Sequence, residues 1–154
     1  MGQEIERKFL LANDGWRENA TGTVFRQGYL STDPDRNVRV RIKGEKAFLT
    51  IKGRTEGVSR LEFEYEIPLD EAQDLLDTLC HKPLIEKTRY KVHIDGLVWE
   101  IDEFEGENRG LILAEVELES EDQAFERPSW LGREVSDDTR YYNSNLVANP
   151  FSRW

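Results

Sequence analysis

The 154-residue sequence predicts a mainly β (α+β) fold, an antiparallel sheet or barrel of about eight strands with few helices packed outside it. Three observations predict it. Charged and apolar residues alternate with a period of two through six separate stretches, the spacing of a strand with unlike faces. Tight turns such as Gly44-Glu45-Lys46 and Asp95-Gly96 join neighbouring stretches as hairpins. Clear helical periodicity is confined to one segment after Ile67 and to the C-terminal part.

Residues 3–11 form the first strand, with Glu4, Glu6 and Lys8 on one face and Ile5, Arg7 and Phe9 on the other. Residues 13–22 are polar and turn-rich, with a short helical turn around Trp16. Residues 24–31 resume as a strand placing Gln27, Tyr29 and Ser31 together. The turn cluster Thr32-Asp33-Pro34-Asp35-Arg36-Asn37 leads into residues 38–43, where Arg39, Arg41 and Lys43 align. After the hairpin, residues 47–52 put Phe48, Thr50 and Lys52 on one face. A polar connection over 53–58 precedes the strand 60–67, which aligns Glu62, Glu64 and Glu66.

The helix that follows has Asp70 as its expected cap, with Gln73 three residues on, and Ala72, Leu75, Leu76 and Leu79 at helical spacing; Pro83 is its stop. Strands 85–94 and 97–104 flank Asp95-Gly96, one aligning Lys87, Arg89 and Lys91, the other Glu100 and Asp102. Residues 111–119 are the last predicted strand and align Glu115, Glu117 and Glu119. A helical start is expected after Ser120, broken by Pro128 and Gly132, and a helix over 137–148 stopped by Asn149-Pro150.

Composition narrows the function. With 31 Asp+Glu against 21 Lys+Arg the net charge is -10, which argues against a general nucleic-acid binder. Cys80 is the only cysteine, expected to be a buried, inert thiol, so no intrachain disulfide forms. No signal peptide or bilayer-spanning apolar run is present, so the expected compartment is the cytoplasm. His81 and His93 are too isolated for a metal cluster, and the four tryptophans read as packing anchors.

The charged rows have two possible directions. Facing solvent is the ordinary arrangement for any one strand. Here, however, the signs are segregated: whole strands are acidic and whole strands are basic, whereas solvated surfaces intersperse them. Turned inward, the rows line the lumen of a closed barrel whose apolar outer wall is sheathed by helices. Carboxylates there suit a hard divalent cation, and Arg and Lys suit a polyanion. A metal–polyphosphate complex needs both.

At this point the residues resemble a known family. Glu4-Ile5-Glu6-Arg7-Lys8 is similar to the ExExK signature of the CYTH superfamily, the triphosphate tunnel metalloenzymes. Gln27-Gly28-Tyr29-Leu30, Arg39-Val40-Arg41, Thr50-Ile51-Lys52, Glu62/Glu64, Trp99 to Phe104, Glu115-Val116-Glu117 and Gly132 to Asn143 follow in the family's order across the whole chain. The resemblance implies one domain over residues 1–154, folded as a closed antiparallel tunnel that binds a triphosphate with Mg²⁺ or Mn²⁺. It implies Glu4, Glu6, Glu115 and Glu117 as ligands of a first metal, and Glu62, Glu64 and Asp102 as residues near a second. Arg39, Arg41, Lys52, Lys87 and Arg89 match the phosphate clamp. Lys43, Arg60, Glu66, Lys91, Glu100 and Glu119 share the inward parity nearer the strand ends.

The family contains inorganic, thiamine and RNA triphosphatases and a class of adenylyl cyclases. The cyclase class resembles a pattern with a His-Phe pair near the opening strand, and here no histidine precedes His81. The expected activity is therefore hydrolysis of a small triphosphate, inorganic tripolyphosphate first. The alternatives are a thiamine or nucleoside triphosphatase, a cyclase, or a polyphosphate-binding module without turnover. Lys8, as a proton shuttle, and Tyr29, as a group orienting the nucleophile, are the expected catalytic side chains; the plain readings are an ion pair for Lys8 and a packed wall aromatic for Tyr29. The expected partner is a small-molecule triphosphate, with no nucleic acid or membrane, and the expected state a monomer or homodimer.

Overall fold

The computed structural model describes Gly2–Trp154. Among these residues nine strands follow in chain order: β1 (Gln3–Leu11), β2 (Thr21–Asp33), β3 (Arg36–Lys43), β4 (Lys46–Lys52), β5 (Ser59–Ile67), β6 (Ile85–Ile94), β7 (Leu97–Phe104), β8 (Ile112–Glu117) and β9 (Leu131–Glu134). They form one antiparallel sheet in the order β5-β4-β3-β2-β6-β7-β8-β1-β9, and β5 pairs again with β1, so eight strands close on themselves. The closing register sets Gln3 opposite Leu61 and Ile5 opposite Ser59. Closure leaves the eight strands without a free edge to pair with another chain.

β1 holds the barrel shut. Its N-terminal half pairs with β5, and the Glu6 N–H donates to the Val58 carbonyl. Further along the same edge the Lys8 carbonyl accepts from the Val135 N–H, so β9 takes over where β5 leaves. Arg7 locks β9 in place from outside, its Nε and Nη2 donating to the two Glu134 oxygens at 2.9 and 2.6 Å. Such a two-pronged charged pair fixes orientation as well as distance.

Two apolar clusters sheathe the barrel from outside and a third packs on the lumen side of its wall. Outside β1, β7 and β8, the residues Phe9, Trp99, Ile101, Ala114 and Val116 pack under Trp16 and Trp130. Outside β3 and β4, Val40 and Ala47 are covered by Ala72, Leu76 and Cys80 of α1 (Leu69–Thr78) and the turn after it. The third cluster, with Tyr29, Ile85, Phe104, Leu113, Val135, Tyr141, Leu146 and Val147, brings the C-terminal segment onto the barrel residues Tyr29, Phe104 and Leu113. Gly28 is set by the packing under α1, because a Cβ there would stand 2.7 Å from Leu84 Cδ2 and 2.9 Å from the Cys80 Cβ. No helix of the described residues is long and apolar enough to cross a membrane.

Several local expectations are corrected. The turn before β3 is only Pro34-Asp35, since β2 runs to Asp33 and β3 begins at Arg36. The N-cap of α1 is Pro68, not Asp70, whose carboxylate lies inside the first turn and accepts from the Glu71 N–H. The helix ends at Thr78, and Leu79 is largely exposed. No helix forms over residues 120–130: the Gln123 side chain accepts from the Glu119 N–H at 2.6 Å, and Phe125 sits edge-on against Phe9 and Trp99. Packing an aromatic into that wall outweighs a short run of helical spacing.

β9 is a strand that the pattern did not show, being four residues long with one glycine. The predicted helix over 137–148 is a 3₁₀ turn (Thr139–Tyr141) and one α turn, α2 (Asn145–Ala148). Between the two turns lies Asn143, whose Oδ1 accepts from Lys87 Nζ at 2.9 Å.

Candidate active site

The inward faces of all eight barrel strands line a cavity of about 990 Å³, and its lining is dominated by charge. Register explains which charges meet. Lys8 stands opposite Glu115 and Glu6 opposite Glu117 across β1–β8. Lys52 faces Glu62 across β4–β5, Arg41 faces Gln27 across β2–β3, and Arg89 faces Asp102 across β6–β7. A one-residue slip in any pair would turn its charges outward.

At the seam between β1 and β5, Lys52 Nζ lies 3.1 and 3.2 Å from the two Glu4 oxygens, and Arg60 Nε lies 3.2 Å from Glu4 Oε1. Burial pushes the Glu4 carboxyl up, but Lys52 and Arg60 outweigh it and bring the group down to about 2. Glu62 Oε2 stands 3.4 Å from Lys52, and Glu64 Oε2 accepts from Thr50 Oγ1 and lies 3.6 Å from Arg39.

On the opposite wall Asp102 is wholly buried, and both its oxygens are engaged. Lys87 Nζ is at 2.7 Å, and Arg89 Nε and Nη2 are at 2.7 and 2.8 Å. Arg89 also reaches Glu115 at 3.4 Å and Glu100 at 3.3 Å. Burial lowers the Lys87 ammonium to about 7 despite Asp102, with Arg89 and Arg41 adding to the depression. The Arg41 guanidinium, also held down by burial and by Arg39 and Arg89, comes to about 9; its Nε donates to Gln27 Oε1 at 2.8 Å. Among the described residues Arg41 forms no ion pair, so its remaining N–H donors are available to a polyanion.

The two expected catalytic residues are both buried at the lumen. Lys8 Nζ donates to the Tyr141 carbonyl at 3.1 Å and lies 5.6 Å from the Tyr142 ring centre, in place of an ion pair with Glu6. Tyr29 packs in the third apolar cluster, and its hydroxyl accepts from Gln27 Nε2 at 3.3 Å.

Two residues were given no role in advance. Gln27 links Arg41 to Tyr29, and Asn143 Oδ1 accepts from both Lys87, at 2.9 Å, and Gln27, at 3.3 Å. The sequence signal for Asn143 was its place at the end of the closing motif.

The expected metal ligands are brought together unevenly. Glu4, Glu6 and Glu115 share one wall, while Glu117 is more exposed and Asp102 is taken up by two cations. No group of three or more Asp, Glu, His or Cys among the described residues is drawn close enough to enclose an ion. The donor chemistry nonetheless fits a hard divalent cation: burial and the neighbouring Glu115 and Glu4 raise the Glu6 carboxyl well above its ordinary value. Of the three, Glu4 and Glu115 are drawn below the ordinary range by neighbouring cations, so their repulsion falls on Glu6.

A closed antiparallel barrel whose inner wall is lined with acids and bases defines a class, the charged-tunnel barrels. The chain belongs to the CYTH family, whose domain model matches residues 2–145. It is 53% identical over 154 residues to an inorganic triphosphatase of Acetivibrio thermocellus, covering 100% of this chain and 99% of that protein. It is 43% identical over 151 residues to an inorganic triphosphatase of Nitrosomonas europaea, covering 94% of this chain and 96% of that one. The crystal structure of the inorganic triphosphatase NE1496 superposes with a TM-score of 0.68 at 38% identity, covering 94% of this chain and 93% of that one.

Proposed function

We propose that residues 1–154 act as one CYTH domain that hydrolyses inorganic tripolyphosphate to pyrophosphate and phosphate in the cytoplasm, with Mg²⁺ or Mn²⁺ as the bound cation. The observation that carries this reading is the lumen itself. Arg39, Arg41, Lys52, Lys87 and Arg89 enter one cavity from three strands, facing carboxylates from β1, β5 and β8. The high identity to two inorganic triphosphatases over nearly the whole chain supports the choice of substrate.

Phosphoryl transfer to water asks the protein mainly for positioning and charge neutralisation. Arg41 and Arg39, with donors not fully used inside the protein, take phosphate oxygens first. Lys52 and Arg89 follow by exchanging part of their carboxylate contacts for the substrate. Glu4, Glu6, Glu115 and Glu117 would hold one cation, and Glu62 and Glu64, with Asp102 behind Arg89, flank the place of a second. The bound metal supplies a Lewis acid and lowers the pKa of a coordinated water.

The chain's own groups do the rest. Tyr29, fixed by Gln27, orients a water toward the terminal phosphorus. Lys87, its ammonium labile near neutrality, is placed to accept or return a proton as the phosphoanhydride breaks, and Lys8, opposite Glu115 with its Nζ on the Tyr141 carbonyl, is the second lysine at that end of the lumen. Purified protein with tripolyphosphate and Mg²⁺ or Mn²⁺ should release one phosphate per substrate. Tight binding of tripolyphosphate with no phosphate released would instead make the lumen a binding module.

A further inference from the structure

Phe25 stands on the inner face of β2, opposite Lys43 of β3 on one side and Lys87 of β6 on the other. Two residues along those strands, on the same face, come Arg41 and Arg89. The register therefore gathers four cations round one ring: the Arg41 and Arg89 guanidinium carbons lie 4.8 and 5.0 Å from its centre, and the Lys43 and Lys87 ammoniums lie 5.8 and 5.9 Å from it. The ring is almost wholly buried yet borders the cavity. Among the described residues neither Arg41 nor Lys43 forms an ion pair, and the ring face is the attractive surface they share.

A carboxylate at this place would gather the same cations, but it would occupy their N–H donors and cancel the positive field that a polyanion needs. An aromatic face attracts cations through its quadrupole and accepts no N–H in the plane of a guanidinium. We propose that Phe25 is a positioning residue of the phosphate clamp, its π face holding Arg41 and Lys43 at the cavity wall with donors left for phosphate oxygens, beside Lys87 and Arg89, which Asp102 also holds. The proposal deepens the triphosphatase reading, which it takes as its basis.

The test varies the quadrupole at constant shape. Phe25 is replaced by 3,4,5-trifluorophenylalanine, which drains charge from the ring face, and by Phe25→Leu, which removes the face. The readouts are steady-state kinetics with tripolyphosphate and calorimetric binding of tripolyphosphate without metal. KM and Kd should rise roughly threefold in the fluorinated enzyme and roughly tenfold in Phe25→Leu, with kcat within about twofold of the parent. A fluorinated enzyme with the parent's KM and Kd, or one that loses kcat in place of KM, overturns the role given to Phe25. The fluorinated side chain keeps the core filled, so the result stands even where Phe25→Leu fails to fold. If the parent binds tripolyphosphate without releasing phosphate, the triphosphatase reading fails while the order of affinities still decides the role of Phe25.

Discussion

The ammonium of Lys52 lies within 3.2 Å of both oxygens of Glu4, joining a cation expected to hold phosphate to an acid expected to hold metal. Without ligand the two sets neutralise each other, which is how so many charges are tolerated in one interior. Loading substrate and metal must part them, each taking a partner of opposite sign.

Glu4→Gln keeps the shape of that contact and removes its charge. Turnover should fall by at least about 100-fold through loss of an ionised metal ligand, with a modest fall in melting temperature. Glu4→Ala should cost about 3 kcal/mol, the lower end for a broken buried pair, because Lys52 retains Glu62 at 3.4 Å. Glu117→Ala, at an exposed position, should abolish turnover with little change in melting temperature. Kinetics and thermal melts of the three variants check this; full activity in Glu4→Gln or Glu117→Ala refutes the ligand assignment.

Metal removal should act in the same direction on activity and the opposite one on charge. EDTA should stop phosphate release, and Mg²⁺ or Mn²⁺ should restore it. Adding metal to the apo protein should release protons, chiefly from Glu6, whose carboxyl burial and Glu115 hold well above the ordinary range. Proton release measured in weakly buffered solution reads this without substrate; an absence of release would count against Glu6 as a ligand.

The clasp between Arg7 and Glu134 makes a prediction about pH and stability. The hydrogen bonds from Arg7 lower the Glu134 carboxyl below its unfolded value. A depressed carboxyl contributes stability that is present above the unfolded pKa and lost as pH falls through the folded one. Glu134→Gln should therefore lower the melting temperature at pH 7 and converge on the parent in strong acid. Both groups are partly solvated, so the loss should be about 1 kcal/mol or less. An equal deficit at all pH values would mean that packing, not charge, holds β9.

Gly28→Ala tests how α1 is seated. The added methyl would meet Leu84 and Cys80 closer than atoms pack, so the helix must move outward from β2. A loss of about 1–3 kcal/mol in chemical denaturation is expected. An unchanged midpoint would show that α1 shifts freely.

Much of the fold was legible because β-strand alternation is a local property. The boundaries of β6 and β7 and the Asp95-Gly96 turn, with positive φ at both residues, follow from a handful of neighbouring side chains. The segments misread, residues 120–126 and 137–148, are those whose conformation is set by distant partners: Phe125 by Phe9 and Trp99, and Asn143 by Lys87. Likewise Asp102 matched a metal-associated position by motif, while its packing between Lys87 and Arg89 follows from register across β6–β7.

By itself the sequence determined which residues share a face of each strand, and hence that acids and bases would stand in separate rows. Only the tertiary structure decided that those rows turn inward and which acid meets which base. Parity along a strand is fixed by backbone geometry, but the sign of its curvature is fixed by the pairing of β5 with β1, whose partners lie some sixty residues apart in the chain. That closure costs loop entropy no local pattern records, and it is offset by the apolar clusters that pack on both sides of the barrel wall.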